Sequence, residues 1–339
     1  MTQPPLVLID ADVLGRERTG DETYAENLLR MLPKLAKGEF RFAAVTRRPE
    51  LVPEGVEPLL LPARLQELRM AWSLPRLLRR LRPALAHFQH VIVPGCPSPA
   101  VLTVHDLSFE RDARHMGRVD RIVFRAAVPR SVRRAAHVLA VSERTKADLV
   151  ELYGVPPDRV TVTQHGVDPA FTPGGRDGGG YVLFVGAIQE RKHPLAASEA
   201  AEELGMPLVV VGPTKDSSLA RELARRGADL RGYVSKPALA ELYRGAACLV
   251  LPSRYEGFGL PVLEAMACGT PVVAGHDSAL REVGGDAALY ASGDELAGAI
   301  RRATAERGRL REAGLERAQL FSWEETARRT LDVYRRVLG

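Results

Sequence analysis

Short apolar runs alternate with longer amphipathic stretches along almost the whole chain. The runs have five to seven residues, the length of buried strands, and the stretches between them have the length of helices. This alternation is typical of repeated βα units, in which parallel strands form a sheet with helices on its faces, so the predicted class is α/β. We predict strands at 6–10, 40–46, 57–62, 84–90, 101–106, 137–142, 159–165, 181–186, 207–212, 229–234, 248–253 and 271–275. We predict helices between them, at 22–37, 64–82, 117–136 and 143–153 in the first half, and over 294–337 with a break near Trp323.

One segment, residues 168–180, interrupts the alternation with two prolines and five glycines. A chain of 339 residues is long for a single core, so this segment is the predicted linker between two Rossmann-like, doubly wound domains. The predicted N-terminal domain is 1–170 and the C-terminal domain is 171–320. A helix over 321–339 is expected to pack back on the N-terminal domain.

Several kinds of protein are excluded by what the sequence lacks. The N-terminus has no signal-peptide pattern, and no apolar run is long enough to span a membrane, so we expect a cytoplasmic protein, at most at the inner face of the membrane. The three cysteines are scattered, and the histidines lack a metal-ligand spacing. We therefore predict no metal and no cofactor.

Positive charge is concentrated in the N-terminal half. Residues 64–134 contain 14 arginines and five acidic residues. Two interpretations stay open for the basic helices: peripheral contact with a membrane, or amphipathic helices that pack on the sheet with solvated arginines. Nucleic-acid binding is not expected, because no aromatic-interleaved patch accompanies the charge.

The segment 253–273 reads SRYEGFGLPVLEAMACGTPVV and carries the chemistry. A strand ends before it, glycines lead into a helix at Pro261, and Gly269 stops that helix. A helix N-terminus with a glycine-containing approach binds anions through unpaired backbone N–H groups, so a diphosphate fits there. Glu256 and Glu264 flank this point and could accept hydrogen bonds from the hydroxyl groups of a nucleotide sugar. Taken alone, the two glutamates could equally be a solvated helix residue and an N-terminal charge.

The full pattern resembles the retaining glycosyltransferases of family 4, which have the two-domain GT-B fold with a cleft between the domains. The residues that match are Pro252, Ser253, Glu256, Gly257, Phe258, Gly259, Leu260, Pro261, Glu264, Ala265 and 269–273. The segments 18–29, 103–109, 140–162 and 165–171 also resemble family segments. The chain is most similar to bacterial mannosyl- and rhamnosyltransferases of surface-polysaccharide synthesis.

Upstream, FVGAIQERKH at 184–193 resembles the family segment in which an arginine and a lysine hold the donor diphosphate. Gly186, Arg191 and Lys192 match it. Two departures are Ala187, where some members carry an additional arginine, and Gln164 with His165, where an Asn-Gly pair is common.

The resemblance implies a role for each matched residue. Glu256 faces the transferred sugar, Glu264 binds the ribose, and the backbone of Gly257, Phe258, Gly259 and Leu260 joins Arg191, Lys192 and Gly186 around the diphosphate. His105 lies near the donor sugar, and Gly20, expected in the loop after the first strand, lets the backbone approach phosphate or acceptor.

The implied activity is a metal-independent, retaining transfer of a hexose, with a mannose-like sugar favoured. The donor would be linked to GDP, UDP, dTDP or ADP, and the acceptor would be a glycan, a lipid-linked sugar or a small molecule. The alternatives are a GT-B epimerase and a non-catalytic scaffold subunit. A NAD-dependent enzyme is weaker, since no strand is followed by G-x-G-x-x-G.

Overall fold

The computed structural model describes residues 3–16, 19–62, 65–112, 118–174 and 179–339. Arg18, Arg64, Gly117 and residues 175–178, which belong to segments singled out in the sequence, lie outside these ranges. The strands are β1 Leu6–Asp10, β2 Arg41–Thr46, β3 Val56–Leu60, β4 Leu85–Gln89, β5 Ala100–Val104, β6 His137–Ala140, β7 Val160–Val162, β8 Val182–Val185, β9 Leu208–Val211, β10 Asp229–Gly232, β11 Cys248–Leu251, β12 Val272–Ala274 and β13 Leu289–Tyr290. The helices are α1 Thr19–Ala36, α2 Gln66–Leu68, α3 Leu74–Leu81, α4 Ser108–Arg111, α5 Arg118–Arg134, α6 Glu143–Tyr153, α7 Pro194–Glu203, α8 Ser217–Arg225, α9 Lys236–Gly245, α10 Leu260–Ala267, α11 Ser278–Gly284, α12 Glu295–Ala305, α13 Arg307–Ala318 and α14 Trp323–Leu338.

These elements form two compact units, and the first unit is built from three separate segments of the chain. The first unit holds the described residues up to Phe109, those from 118 to Gly166, and Trp323–Gly339. The second holds Val167–Ser322 and a short piece that begins at Glu110. The change of unit after Gly166 comes just before the glycine- and proline-rich segment that begins at residue 168.

The first unit is built on a parallel sheet of seven strands in the order β3-β2-β1-β4-β5-β6-β7. Strand order reverses direction between β1 and β4. In sheets of this kind, ligands bind outside the carboxyl ends of the strands at the point of reversal. The loops after β1 and β4 are therefore the first places to look for a site.

The second unit repeats this plan with six parallel strands in the order β10-β9-β8-β11-β12-β13. The reversal falls between β8 and β11, whose residues are all buried, as expected for strands covered on both faces. The two parallel sheets confirm the predicted α/β class with two Rossmann-like domains.

The helix α14 completes the first unit. It packs along α1, and the Tyr334 hydroxyl group lies 2.6 Å from Nδ1 of His87 on β4. The other ring nitrogen of His87 lies 2.7 Å from the Thr103 hydroxyl group on β5, which in turn lies 2.8 Å from the hydroxyl group of Tyr24. Four fully buried side chains thus form one continuous hydrogen-bonded row.

The segment between β3 and β4 differs from the single amphipathic helix that we predict at 64–82. A π-helical turn over Arg69–Ser73 joins α2 to α3. Arg69 is completely buried and donates hydrogen bonds to the carboxylate of Asp10, although the amphipathic pattern assigns the arginines of this segment to solvent. Asp12 is also buried, and the Arg47 guanidinium binds both of its carboxylate oxygens at 2.8 and 2.7 Å.

No helix in the described ranges combines the length and the hydropathy that crossing a membrane requires.

Candidate active site

The helix α10 begins and ends as its sequence predicts. Gly259 is the N-cap with φ of 110°, and Pro261 lies in the first turn. At the other end Gly269 has φ of 75°, its N–H donates to Met266, and the N–H of Thr270 donates to Ala265, which together close the helix. Because α10 follows β11, the positive end of its helix dipole lies beside the strand reversal of the second sheet.

Glu256 lies in the loop before α10, with only a tenth of its side chain exposed. Its Oε1 accepts a hydrogen bond from Nζ of Lys192 at 2.6 Å, and its Oε2 lies 3.7 Å from Nη1 of Arg191. Burial alone would raise the pKa of Glu256, but the two cations outweigh it and hold the pKa below its ordinary value. Glu256 is therefore a carboxylate at neutral pH.

Arg191 and Lys192 come from the other strand at the reversal. A 3₁₀ turn over Glu190–Lys192 follows β8, and both cationic side chains are 12% exposed. Arg191 also donates to the backbone carbonyl of Tyr255, and its own carbonyl accepts from the N–H of Arg254 at 3.0 Å. These bonds fasten the loop after β8 to the loop before α10.

Gly186, directly after β8, makes this arrangement possible. A Cβ atom at this position would lie 2.9 Å from Cδ of Lys192, too close for a real contact. Gly212 approaches from the neighbouring strand, where a Cβ would lie 2.3 Å from the carbonyl oxygen of Gly186. Gly186 also has φ of 155°, which residues with a side chain rarely adopt, so the backbone and the packing both favour glycine here.

Glu264 lies in the second turn of α10 and is part-buried. Its Oε2 accepts a hydrogen bond from the hydroxyl group of Tyr243 at 2.8 Å. Burial raises the pKa of Glu264 from 4.5 to about 7, because desolvation outweighs the Tyr243 hydrogen bond. Two glutamates eight positions apart thus have opposite pKa shifts.

Phe258 and Leu260 contribute backbone rather than side chain to the site. Phe258 is 4% exposed and its ring lies 6.0 Å from that of Phe321, and Leu260 is 9% exposed. Their apolar side chains pack within the second unit and fix the turn that leads into α10. What Gly257, Phe258, Gly259 and Leu260 can offer a ligand is their peptide groups.

His105 follows β5 in the first unit and is buried. Its Nε2 lies 2.9 Å from the amide oxygen of Gln89, while the amide nitrogen of Gln89 donates to the carbonyl of Asp10. The other ring nitrogen, Nδ1, lies 3.9 Å from Oδ1 of Asp21. Burial lowers the pKa of His105 to about 4, so the ring is neutral at pH 7.

Four residues around His105 were not expected in the site. The rings of Tyr24, His90 and His165 lie 4.9, 5.2 and 5.9 Å from that of His105. Asp21, His90 and His105 offer ligand atoms that all lie within 4.8 Å of one another. His90 has φ of 60° and His193, directly after Lys192, has φ of 51°, both strained values for non-glycine residues.

Gly20 does not lie in the loop after β1, as the sequence suggests. It belongs to the first turn of α1, which begins at Thr19, because the acidic residues that follow favour an earlier helix start. A Cβ at Gly20 would meet no described atom within 4 Å, so the space beside it stays open.

The predicted site residues therefore fall into two groups. The second unit brings together Gly186, Arg191, Lys192, Glu256 and the start of α10, with Glu264 one turn further on. The first unit holds His105 and, at the start of α1, Gly20. Gln164 and His165, which stand where an Asn-Gly pair is common in the family, belong to the first unit. The buried His165 ring lies 5.3 Å from that of Trp323.

Comparison with known proteins gives two family matches that divide the chain. Residues 171–319 match the family described as glycosyl transferases group 1, and residues 18–171 match glycosyltransferase family 4. Among curated proteins, O-antigen chain mannosyltransferase B of Escherichia coli is 30% identical over 82% of this chain and 81% of its own length.

Solved structures share the fold. Sucrose-phosphate synthase of Thermosynechococcus elongatus superimposes with a TM-score of 0.76 at 19% identity, covering 98% of this chain and 99% of the other. The Anabaena protein HepE, solved in complex with UDP and glucose, gives a TM-score of 0.73 at 15% identity, covering 98% and 99%. The fold is therefore GT-B.

Proposed function

Because this chain belongs to glycosyltransferase family 4, we propose that it transfers a mannose-like hexose from a nucleotide diphosphate sugar to a carbohydrate acceptor with retention of configuration. That it is a glycosyltransferase follows from its family. The sugar, the nucleotide, the acceptor and the stereochemistry are the proposal. The mannose-like sugar is favoured by the similarity to a mannosyltransferase.

One observation carries the proposal: two cations and a helix N-terminus meet at the strand reversal of the second sheet. Arg191 and Lys192 arrive from β8 and the start of α10 from β11. When the bond between the sugar and the diphosphate breaks, negative charge grows on the leaving phosphate. Fixed cations and peptide N–H groups aimed at that charge stabilise the transition state.

The same groups make a divalent metal unnecessary in this proposal, because they supply the positive charge that a metal would bring. Glu256, held as a carboxylate beside Lys192, faces the donor sugar and accepts from its hydroxyl groups. Glu264, one turn along the helix, accepts from the ribose.

His105 is proposed to contact the donor sugar. Nε2 of its neutral ring lies beside the Gln89 amide, so Nδ1, on the side of Asp21, is the nitrogen that would contact a sugar hydroxyl group. A hydroxyl oxygen of the acceptor, a glycan, a lipid-linked sugar or a small molecule, would bond to the anomeric carbon as the bond to the diphosphate breaks. Its proton would pass to the leaving diphosphate.

The proposal is tested with a panel of GDP-, UDP-, dTDP- and ADP-linked sugars. The matching donor should raise the melting temperature, since a ligand that binds only the folded state stabilises it. Transfer from that donor should continue in the presence of EDTA, and NMR of the product should show the anomeric configuration of the donor. Free epimer without transfer would indicate an epimerase, and no stabilisation by any donor would indicate a scaffold subunit.

A further inference from the structure

The segment from Leu65 to Arg82 presents an apolar surface that the first unit does not cover. Leu65, Leu68 and Trp72 are 57%, 58% and 56% exposed. They are spaced by three and four residues, so they lie along one side of the helical segment. Large apolar side chains exposed in a row mark an interaction site more often than a structural need.

The opposite side of the same segment already makes the core contacts. Arg69, Leu74, Leu77 and Leu78 are buried, and Arg69 is tied to Asp10 on β1. The segment is therefore anchored without help from Leu68 or Trp72. Packing against the sheet explains one side of this helical segment and leaves the other unexplained.

Exposed arginines continue the apolar row toward the C-terminal end of α3. Arg76, Arg79, Arg80 and Arg82 are exposed, and the guanidinium of Arg76 lies 3.7 Å from the centre of the Trp72 ring. Glu67 is the one acidic residue between Leu65 and Arg82. Leucine and tryptophan beside several arginines suit the boundary between lipid headgroups and acyl chains, where the apolar groups insert and the arginines meet phosphate.

The helix α5 adds a second exposed apolar pair to the same side of the first sheet. Ile122 and Val123 are 69% and 54% exposed, with Arg125 exposed beside them. The segment 65–82 connects β3 to β4, and α5 lies in the connection from β5 to β6. Both connections lead toward the β7 edge of the sheet. Right-handed crossovers therefore place both helical segments on one face of the sheet.

The exposed residues of 65–82, together with Ile122, Val123 and Arg125, form what is called here the basic apolar face. We propose that this face docks on the surface of a membrane that contains anionic lipids. Charge decides the partner, because the exposed residues of 65–82 include four arginines and one acid. Trp72 is the one aromatic residue in 65–82, which leaves no stacking surface for successive bases of a nucleic acid. The surface and its test do not depend on which sugar the protein transfers.

The two tryptophans of the chain give a direct readout. Trp323 is 2% exposed, whereas Trp72 is more than half exposed, so a change in emission on adding vesicles reports on Trp72. With the full-length protein and vesicles of phosphatidylcholine and phosphatidylglycerol, we expect a blue shift and co-sedimentation. Pure phosphatidylcholine vesicles should bind the protein at least about tenfold more weakly, and added salt should weaken binding to the anionic vesicles.

Two variants separate the apolar and the charged contributions. Leu68→Ser with Trp72→Ser, and Arg79→Gln with Arg80→Gln, should each lower vesicle affinity by about tenfold or more. The matched controls are Leu320→Ser, exposed to 69% in the second unit, and Arg301→Gln on the exposed side of α12. The controls should bind as the unaltered protein does.

The proposal is overturned if the unaltered protein fails to bind anionic vesicles at low salt, or if the paired variants bind as tightly as the controls. It is also overturned if sedimentation shows that the unaltered protein is a dimer and the Leu68→Ser, Trp72→Ser variant is a monomer. In that case a second copy of the chain covers the face.

Discussion

Nζ of Lys192 lies 2.6 Å from Oε1 of Glu256, although the two residues follow different strands of the second sheet. The contact joins the loop after β8 to the loop before α10 at the strand reversal. It keeps a buried carboxylate ionised and holds a cation in place at the proposed diphosphate site. Such preorganisation is what electrostatic stabilisation of a leaving group requires.

Replacing Lys192 by methionine should therefore damage catalysis more than folding. We expect kcat/KM to fall by about 100-fold or more, since the loss of one preorganised donor typically costs that much. Steady-state kinetics with the matching donor provides the measurement. Lys215→Met, an exposed lysine of the same unit, is the control and should keep its activity. Equal activities in the two variants would remove Lys192 from the site.

Gly186→Ala should impair the reaction for two reasons: alanine rarely adopts the φ of 155° found here, and the new methyl group would lie 2.9 Å from Cδ of Lys192. We expect kcat/KM to fall by about tenfold or more while the far-ultraviolet circular dichroism spectrum stays unchanged. Gly298→Ala in α12, where a Cβ meets no atom within 4 Å, is the matched control. A fully active Gly186→Ala protein would contradict the close packing described above.

Glu264→Gln should stabilise the protein in the absence of ligand at alkaline pH. Burial raises the pKa of Glu264 from 4.5 to about 7, so the folded state binds this proton more tightly than the unfolded state does. Stability is consequently lost as the pH rises between these two values. Removing the ionisable group should raise the free energy of unfolding above pH 7 by up to about 3 kcal/mol.

Urea denaturation on both sides of this pH window provides the measurement for Glu264→Gln. The difference from the unaltered protein should shrink toward pH 4.5, the lower end of the window. Glu241→Gln, at a glutamate that is 67% exposed on α9, should show no such dependence. A Glu264→Gln protein that is less stable than the original at every pH would contradict the raised pKa.

Donor affinity should fall as the pH drops below about 7, because protonation of Glu264 weakens its acceptance of ribose hydroxyl groups. Once Glu264 is mostly protonated, the dissociation constant should rise by up to about tenfold per pH unit. Calorimetry with an intact nucleotide sugar is the appropriate assay, since its diphosphate keeps its charge over this range. In Glu264→Gln the affinity should be weaker and independent of pH. A pH-independent affinity in the unaltered protein would rule out this role.

Tyr334→Phe should destabilise the first unit, because it leaves Nδ1 of buried His87 without its partner at 2.6 Å. We expect a loss of about 1–3 kcal/mol, the usual cost of an unsatisfied buried polar group. Thermal and urea unfolding measure this effect. Tyr233→Phe, at a half-exposed tyrosine of the second unit, should change stability by less than about 0.5 kcal/mol.

The alternation of apolar runs was enough to predict the two parallel sheets, because strands buried on both faces leave an unmistakable pattern. The strand predicted at 181–186 is observed at Val182–Val185, and the helix predicted at 143–153 is observed at Glu143–Tyr153. The helix break near Trp323 is confirmed as the start of α14. The two-residue strand β13 was missed because so short an element has no period to detect.

Long-range pairings are what the sequence could not reveal. The amphipathic pattern predicts that Arg69 is exposed to solvent, yet Arg69 is buried against Asp10, 59 positions away. The Tyr243 hydrogen bond to Glu264 spans 21 positions, and neither residue carries a local sign of it. Likewise, His90 reads as part of an apolar strand, and its closeness to His105 depends on the register of two strands.

The position of α14 in the chain has a consequence for biosynthesis. The second unit consists almost wholly of the continuous segment Val167–Ser322, whereas the first needs α14, which the ribosome makes after that segment. During translation, the second unit can therefore reach its final form while the surface of α1 that receives α14 is still bare. A nascent chain stalled before Trp323 would expose this apolar surface to chaperones, although it already contains the cations and the glutamates of the proposed diphosphate site.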